Sequence, residues 1–302
     1  MDRDAVLAWV ESPLQLVGAA EWAEASGRTV PVAGRLTPQM SETADELVRR
    51  GARFGPMDPY MGIPWRLLAQ HDHWLVGDGF SGQFRLAASV LRPRRVTFLD
   101  DGAHTHAFAA TVLGDRPYSR PHVAERGATT RLAPLAFELI QRRARERRAG
   151  FFTAFDLGPH RESALGDRGF AVTRHRFAWT RATASPVTEL GHRLVLGSAR
   201  PVDGRMTLAH FVDWVRAIAA EGDVTYLPHR REPQEQRAAV RRIRGVHLHE
   251  TTLPVELVLA GAEGRVDVFT LPSSTTTTLP LVTQGLDVRM FTAAQRPLGA
   301  VA

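Results

Sequence analysis

The stretch that decides the fold reads AVLAWVESPLQ and spans residues 5–15. Its apolar residues 5–10 predict a buried strand, and the polar and proline-containing residues that follow end it. Residues 16–25 then have the composition of a helix, which Gly27 ends. The chain therefore begins with a strand followed directly by a helix, the repeating unit of an α/β fold.

The same alternation continues along the chain. In the first half we predict strands at 29–32, 73–76, 96–99 and 151–155, and helices at 40–50, 83–91 and 135–148, with Ser41 as the N-cap of the helix over 40–50. In the second half we predict strands at 193–196, 223–225, 246–249, 266–269 and 287–291, and helices at 208–220, 234–243 and 255–259. This order is typical of parallel sheets with helices on both faces.

Length and composition divide the chain into two domains. At 302 residues it is long for one hydrophobic core. Residues 179–189 are rich in Thr, Ala, Ser and Pro, as linkers often are. We predict an N-terminal Rossmann-like domain over 1–185 and a C-terminal one over 186–302, with parallel sheets facing a central cleft.

Composition and charge exclude several classes of protein. An apolar fraction of 44% and a charged fraction of 23% are typical of a soluble globular protein. No apolar run approaches the roughly 18 residues of a membrane span, and no signal peptide is evident. The absence of cysteine fits a cytoplasmic protein. The net charge of +6 favours anionic ligands, but with three Tyr we find no aromatic-interleaved surface for nucleic acid.

Three polar clusters follow predicted strands, where open α/β sheets bind their ligands. The first is Asp100-Asp101-Gly102. A carboxylate there could act as a general base toward a sugar hydroxyl. Successive strand residues point to opposite faces, so only one of the two Asp is expected to face the ligand. The alternative is an ordinary turn, since Asp-Gly is a common turn dipeptide.

The second cluster is the stretch YLPHRRE, residues 226–232. His229 titrates near neutrality, and the neighbouring arginines are permanent anion binders. Such a cluster suits an anionic leaving group, which a protonated imidazole could hold or protonate. The alternative is a solvated loop with an incidental histidine.

The third cluster is the hydroxyl run that begins Ser273-Ser274-Thr275. Hydroxyl and backbone donors at a helix N-terminus can hold a phosphate. The alternative is an ordinary serine N-cap.

Other charged residues are weaker candidates. His104 and His106 match no metal-ligand spacing, and we place them on a helix flank. The basic run 142–148 is best interpreted as a solvated helix face, with contact to anionic lipid head groups as the alternative. No glycine-rich dinucleotide motif or P-loop is present.

Together these motifs resemble the bacterial sialyltransferases of glycosyltransferase family 52 and their polysialyltransferase relatives. Those enzymes carry an acidic-acidic-Gly motif, a His-Pro motif and a Ser-Ser/Thr motif, and this chain has its three polar clusters in the same order. Ser12-Pro13-Leu14-Gln15 is similar to their Thr/Ser-Pro-Leu-Gln opening, and Pro254-Val255-Glu256 to a later Pro-x-Glu. Arg230 departs from the pattern, because those enzymes usually have proline there.

The resemblance implies a GT-B fold, a CMP-activated sugar acid as donor, a glycan or other hydroxyl acceptor, inversion of configuration and no metal or other cofactor. The residues that it implies on the donor side are Arg231, Glu232, Glu256, Ser273, Ser274 and Thr275. On the acceptor side they are Ser12, Pro13, Gln15 and Gly102, and the catalytic candidates are Asp100, Asp101 and His229. To the donor side we add Gly197 and Ser198, which close the predicted strand at 193–196.

Three other functions are compatible with the sequence. A GT-B enzyme could use another nucleotide sugar, or an inactive relative could bind a nucleotide or glycan without turnover. Nucleic-acid binding rests on net charge alone, which is a non-specific signal. Retention of both an acidic pair and His229 favours catalysis. We therefore predict a cytoplasmic glycosyltransferase with peripheral membrane contact through residues 142–148 as an option.

Overall fold

The computed structural model describes residues 5–102, 104–121, 131–187 and 190–293. The chain divides into two compact units, Met1–Thr183 and Ala184–Ala302. The division falls inside the segment 179–189 for which the sequence predicts a linker.

The first unit is built on a seven-stranded sheet in the order β3-β2-β1-β4-β5-β6-β7, in which every pair is parallel. Its strands are β1 Val6–Val10, β2 Val30–Arg35, β3 Phe54–Tyr60, β4 His73–Val76, β5 Arg95–Phe98, β6 Ala149–Thr153 and β7 Phe170–Arg174. Its described helices are α1 Pro13–Ser26, α2 Pro38–Arg49, α3 Trp65–Gln70, α4 Gly82–Leu91, α5 His104–Val112, α6 Ala133–Arg145, α7 Pro159–Asp167 and α8 Ala178–Ala182.

The second unit has a five-stranded sheet in the order β10-β9-β8-β11-β12, also with every pair parallel. Its strands are β8 Arg193–Leu196, β9 Val224–Leu227, β10 Val246–Leu248, β11 Val266–Thr270 and β12 Val288–Thr292. Its helices are α9 Leu208–Ala219, α10 Gln234–Arg241, α11 Val255–Leu259 and α12 Thr275–Val282.

Both sheets place their first strand at an inner position with strands added on either side. Counted from the first strand of each unit, both sheets contain the order 3-2-1-4-5, which is that of a Rossmann-like domain. The order reverses between β1 and β4 in the first unit and between β8 and β11 in the second. Two Rossmann-like units with parallel sheets confirm the predicted α/β, GT-B fold class. Ligands in such sheets bind at the carboxyl ends of the strands, near the reversal.

The central strands form because their residues are apolar on both faces. All residues of β1 and β4 are buried, as expected for parallel strands covered by helices on both sides. Edge strand β3 is different, since six of its seven residues are partly or fully exposed, and it contains Pro56 and Pro59. Proline is tolerated in a strand at the edge of a sheet. Because β3 has exposed residues and two prolines, the sequence shows no apolar pattern that predicts it.

The cap of α2 corrects one prediction. Thr37, not Ser41, is the N-cap, and its hydroxyl accepts a hydrogen bond from the Met40 amide. The helix therefore starts two residues before the predicted position, with Pro38 at its first turn. Proline at that position needs no amide donor, so the helix can begin there.

The basic run 142–148 lies on the last turn of α6 and in the segment after it. Glu146 forms ion pairs with Arg142, Arg143 and Arg148. Arg143 also donates to the Pro93 carbonyl at 2.7 Å. These pairs fit the interpretation as a solvated helix face, and contact with anionic lipid stays a prediction. Along the described residues, no helix combines the length and the apolar character that a membrane crossing requires.

Candidate active site

Carboxylates gather at the carboxyl ends of three adjacent strands of the first unit. Glu11 directly follows β1, Asp78 lies two residues after β4, and Asp101 lies three residues after β5. The order β1-β4-β5 makes these strand ends neighbours, and it includes the reversal of strand order. This edge is where a ligand is expected in such a sheet.

Asp101 is the carboxylate of this group best suited to proton transfer. Its Oδ1 accepts a hydrogen bond from Gln15 Nε2 at 2.7 Å, and its side chain is 23% exposed. Burial and the nearby charge of Asp78 raise the pKa of Asp101 to about 7, although Arg120 and the Gln15 hydrogen bond act in the opposite direction. The group can therefore both hold and release a proton near neutral pH.

Gln15 holds Asp101 from a fully packed position. It is 1% exposed, and its Oε1 accepts from the Glu11 amide at 2.7 Å. A Cβ on Gly77 would lie 2.0 Å from that Oε1, so only glycine after β4 leaves room for the amide. The oxygen and the nitrogen of the Gln15 amide thus link the segment after β1 to the segment after β5.

The other residues of the opening motif start the helix. The Ser12 carbonyl accepts from the Leu16 amide, while its side chain makes no capping hydrogen bond. Pro13 is buried at the first position of α1, where its missing amide proton costs nothing. Gly102 has φ 58°, which turns the chain after Asp101 into α5.

Asp100 has a different environment from Asp101. It is 3% exposed, and Oδ1 accepts from the Thr153 hydroxyl while Oδ2 accepts from the Ala154 amide at 2.7 Å. Thr105 donates to Oδ1 at 3.3 Å, and the buried ring of His175 lies 3.4 Å from Oδ2. These contacts tie the end of β5 to the end of β6 and engage both oxygens of Asp100.

His229 follows β9 in the second unit. Its Nδ1 accepts from the Arg231 amide at 3.1 Å, so the proton of a neutral ring is carried by Nε2. Burial, together with the charges of Arg230 and Arg231, lowers the pKa of His229 to about 4. The ring is thus neutral at pH 7 in this structure and presents one N–H donor.

Glu232 stabilises the loop that carries His229. Its Oε1 accepts from the Tyr226 hydroxyl at 2.8 Å and from the His229 amide at 3.0 Å, and burial raises the pKa of this carboxyl. A Cβ on Gly197, the residue after β8, would lie 2.0 Å from the same oxygen. Gly197 and Glu232, both predicted to contact the nucleotide, therefore shape the loop in this structure.

Arg231 and Ser198 lie beside this loop. Arg231 forms an ion pair with Asp203, with its side chain 49% exposed. Ser198 is 8% exposed, and its hydroxyl accepts from the Arg200 amide at 3.2 Å. Gln236 donates to the Ser198 carbonyl at 3.0 Å, which fixes the turn after β8.

The hydroxyl cluster follows β11, the strand on the other side of β8. Ser273 Oγ and Thr275 Oγ1 lie 2.7 Å apart, and Ser274 precedes α12 without capping it through its side chain. Glu256 is 4% exposed, its pKa is raised by burial, and its Oε1 accepts from Thr278 Oγ1 at 2.7 Å. Glu256 thus anchors the helix that carries the cluster.

Most of the predicted residues therefore lie at the carboxyl edge of their own sheet. Asp101 with Gln15 does so in the first unit, and Ser198, His229 and Ser273 follow the three neighbouring strands β8, β9 and β11 in the second. Sequence analysis missed Glu11, Asp78 and Arg120. The Gly-Asp-Gly stretch after β4 was a signal for Asp78, whereas nothing local marks Arg120.

The two candidate metal histidines lie on α5. His104 and His106 each make an edge contact with a phenylalanine, Phe80 and Phe155 respectively. Within the part of the chain that the structure describes, no three His, Asp or Glu side chains come together as metal ligands would. Metal independence stays a prediction.

Comparison with known proteins supports the fold. A structure from Listeria monocytogenes assigned as a UDP-N-acetylglucosamine 2-epimerase is 15% identical, with a TM-score of 0.59 over 95% of this chain and 79% of that one. An E. coli heptosyltransferase with an ADP-sugar analogue is 14% identical, with a TM-score of 0.43 over 98% and 90% of the two chains. No family model and no curated protein matches the chain. The Listeria match establishes the fold alone.

Proposed function

We propose that this protein is an inverting glycosyltransferase that moves a sugar acid, of the sialic acid type, from a CMP-activated donor to a hydroxyl acceptor. The observation that carries the proposal is the setting of Asp101. Gln15 fixes this carboxylate at the carboxyl end of β5, next to the strands where the order reverses, and its pKa is raised to about 7. A general base works best when its pKa lies near the working pH.

The first unit supplies the acceptor side of this reaction. Asp101 takes the proton of the acceptor hydroxyl as the oxygen attacks the anomeric carbon of the donor. The bond from that carbon to the phosphate oxygen breaks, and CMP leaves with the bonding electron pair. One direct displacement inverts the configuration at the anomeric carbon.

The second unit supplies the leaving-group side. His229 is assigned as a neutral donor that gives the Nε2 hydrogen bond to the departing phosphate, which replaces the imidazolium expected from the sequence. Arg231 adds a fixed positive charge, and the hydroxyls of Ser273 and Ser274 add donors next to the start of α12. Donors aimed at developing charge are a main source of catalytic power.

The CMP part of the proposal rests on the motifs that resemble family 52. A donor with one phosphate leaves with less charge than a nucleoside diphosphate, so arginine, histidine and hydroxyls can stabilise it. The Listeria structure carries the name of an enzyme that acts on a UDP-sugar, and UDP is therefore the competing nucleotide to test.

Calorimetric titration with CMP, UDP and ADP tests the donor assignment. CMP is expected to bind most tightly, and Ser273→Ala with Ser274→Ala is expected to weaken CMP binding by roughly 1.5–3 kcal/mol, the range for hydrogen bonds to a charged group. Thr283→Val is the matched control, because its hydroxyl donates to the Leu279 carbonyl at the far end of α12. Tighter binding of UDP, or equal CMP affinity in the serine and control variants, would contradict the assignment.

A further inference from the structure

The turn after β4 is built to present Asp78 in one orientation. A Cβ on Gly77 would lie 2.0 Å from Gln15 Oε1, and one on Gly79 would lie 2.4 Å from the Phe108 ring. Asp78 Oδ1 accepts from the Phe80 amide at 2.9 Å. The backbone on both sides of Asp78 is therefore closely packed, and its buried carboxylate is held by the Phe80 amide.

Arg120 reaches this carboxylate from a segment that is packed on the same turn. The Tyr118 hydroxyl donates to the Gly79 carbonyl at 2.6 Å. The guanidinium of Arg85 stacks over the Tyr118 ring, 4.4 Å from its centroid. The position of Arg120 is thus set by Tyr118 two residues earlier and by the turn that carries Asp78.

The guanidinium of Arg120 lies between two carboxylates. One nitrogen donates to Asp78 Oδ2, and another lies 3.8 Å from Asp101 Oδ2. The Arg120 and Asp101 side chains are 28% and 23% exposed, so their attraction is only partly screened by solvent. Asp101 therefore faces a fixed negative charge and a shared positive charge.

The remaining groups around Asp101 complete its electrostatic setting. Glu11 faces it from the end of β1, and that carboxylate pairs with Arg35 at 3.2 Å. Gln15 donates from α1, and from α5 the Thr105 hydroxyl accepts from the Asp101 amide while the His104 amide donates to the Asp101 carbonyl. Neighbouring Asp100 is turned toward β6.

We propose that Arg120 is a positioning residue that Asp78 and Asp101 share, and that this sharing sets the orientation and the proton affinity of Asp101. The role of Asp101 as the base rests on the proposed function, whereas its proton affinity does not. Asp78 raises the pKa of Asp101 in two ways. Its negative charge disfavours the ionised form of Asp101, and it attracts Arg120 away from Asp101.

A carboxyl ¹³C NMR titration of the full chain tests this, with the Asp101 signal identified by its loss in Asp101→Asn. In the wild-type chain Asp101 is expected to titrate near pH 7. Asp78→Asn should lower the pKa of Asp101, and Arg120→Met should raise it, each by about one unit. Arg120→Lys keeps a charge and should return the titration toward wild type. Circular dichroism reports whether each variant is folded.

We expect the pKa of Asp101 to shift in opposite directions in Asp78→Asn and Arg120→Met. A general loss of structure in the site would not produce opposite shifts. Shifts of the same sign, or an unmoved Asp101 in folded Asp78→Asn and Arg120→Met, would overturn the proposal. The pH profile of kcat/KM for transfer from CMP-N-acetylneuraminic acid should move with the NMR titration. If the NMR shifts occur and no nucleotide sugar supports transfer, the proposed function fails while the role of Arg120 stands.

Discussion

Asp101→Asn is expected to lower the rate of sugar transfer by about 10²–10⁴-fold, the usual contribution of a general base, while CMP affinity stays the same. An amide cannot accept the proton of the acceptor hydroxyl, yet it can keep a contact with Gln15. Steady-state transfer from CMP-N-acetylneuraminic acid to a galactoside, with CMP affinity measured separately by calorimetry, checks both parts. Because the base must be ionised, kcat/KM of the wild-type chain should rise with pH through about 7.

Asp100→Asn is the matched control for this prediction. Its carboxylate accepts from Thr153 and the Ala154 amide, and an amide side chain can replace only part of these bonds. We expect a loss of roughly 1.5–3 kcal/mol in the free energy of unfolding, measured with urea, and little change in the activity of the folded protein. The reverse pattern, with transfer lost in a folded Asp100 variant and retained in Asp101→Asn, would exchange the two roles.

His229→Ala is expected to reduce transfer by about 10²–10³-fold, the range for removal of one donor to developing negative charge. Partial burial and the charges of Arg230 and Arg231 lower the pKa of this ring to about 4, so its active form is neutral and no loss of activity from this group is expected as the pH rises from 6 to 9. His229→Gln keeps an N–H donor near the same place and should recover part of the rate.

Donor choice separates the two ways in which His229 could act. A synthetic donor whose leaving group carries little charge should lose less from His229→Ala than the CMP-sugar does, because less charge develops at the phosphate position. Equal losses on both donors would mean that the ring only positions the nucleotide. An Ala variant as fast as wild type would remove His229 from the mechanism.

Strands β1, β4 and β8 were predictable because they are buried along all or nearly all of their length. The predicted strands 73–76 and 193–196 match β4 and β8 in full, since short apolar runs between polar residues are typical of buried parallel strands. Edge strands such as β3 and β7 carry exposed or proline residues, so their patterns were weak. The N-cap of α2 is Thr37 and not Ser41, because proline is accepted at the first position of a helix and α2 therefore begins at Pro38.

The chemistry was less predictable than the strands. The motif Asp100-Asp101 predicted a candidate base after β5, but the different settings of the two residues depend on Thr153 and Ala154, which lie more than fifty residues away. Arg120 joins Asp78 over a separation of 42 residues, and no local pattern announces such a pair. Burial also changed the expected state of His229, because a loop sequence does not reveal how far its ring is removed from water.

The central claim is tested most directly by NMR analysis of one reaction, with CMP-N-acetylneuraminic acid and a galactoside as substrates and EDTA present throughout. We expect release of CMP together with a new glycosidic bond whose anomeric configuration is opposite to that of the donor. The Asp101→Asn variant, which lacks this carboxylate, should give no product signal. A product that retains the configuration of the donor, or transfer from UDP-sugars with none from the CMP-sugar, would contradict the account.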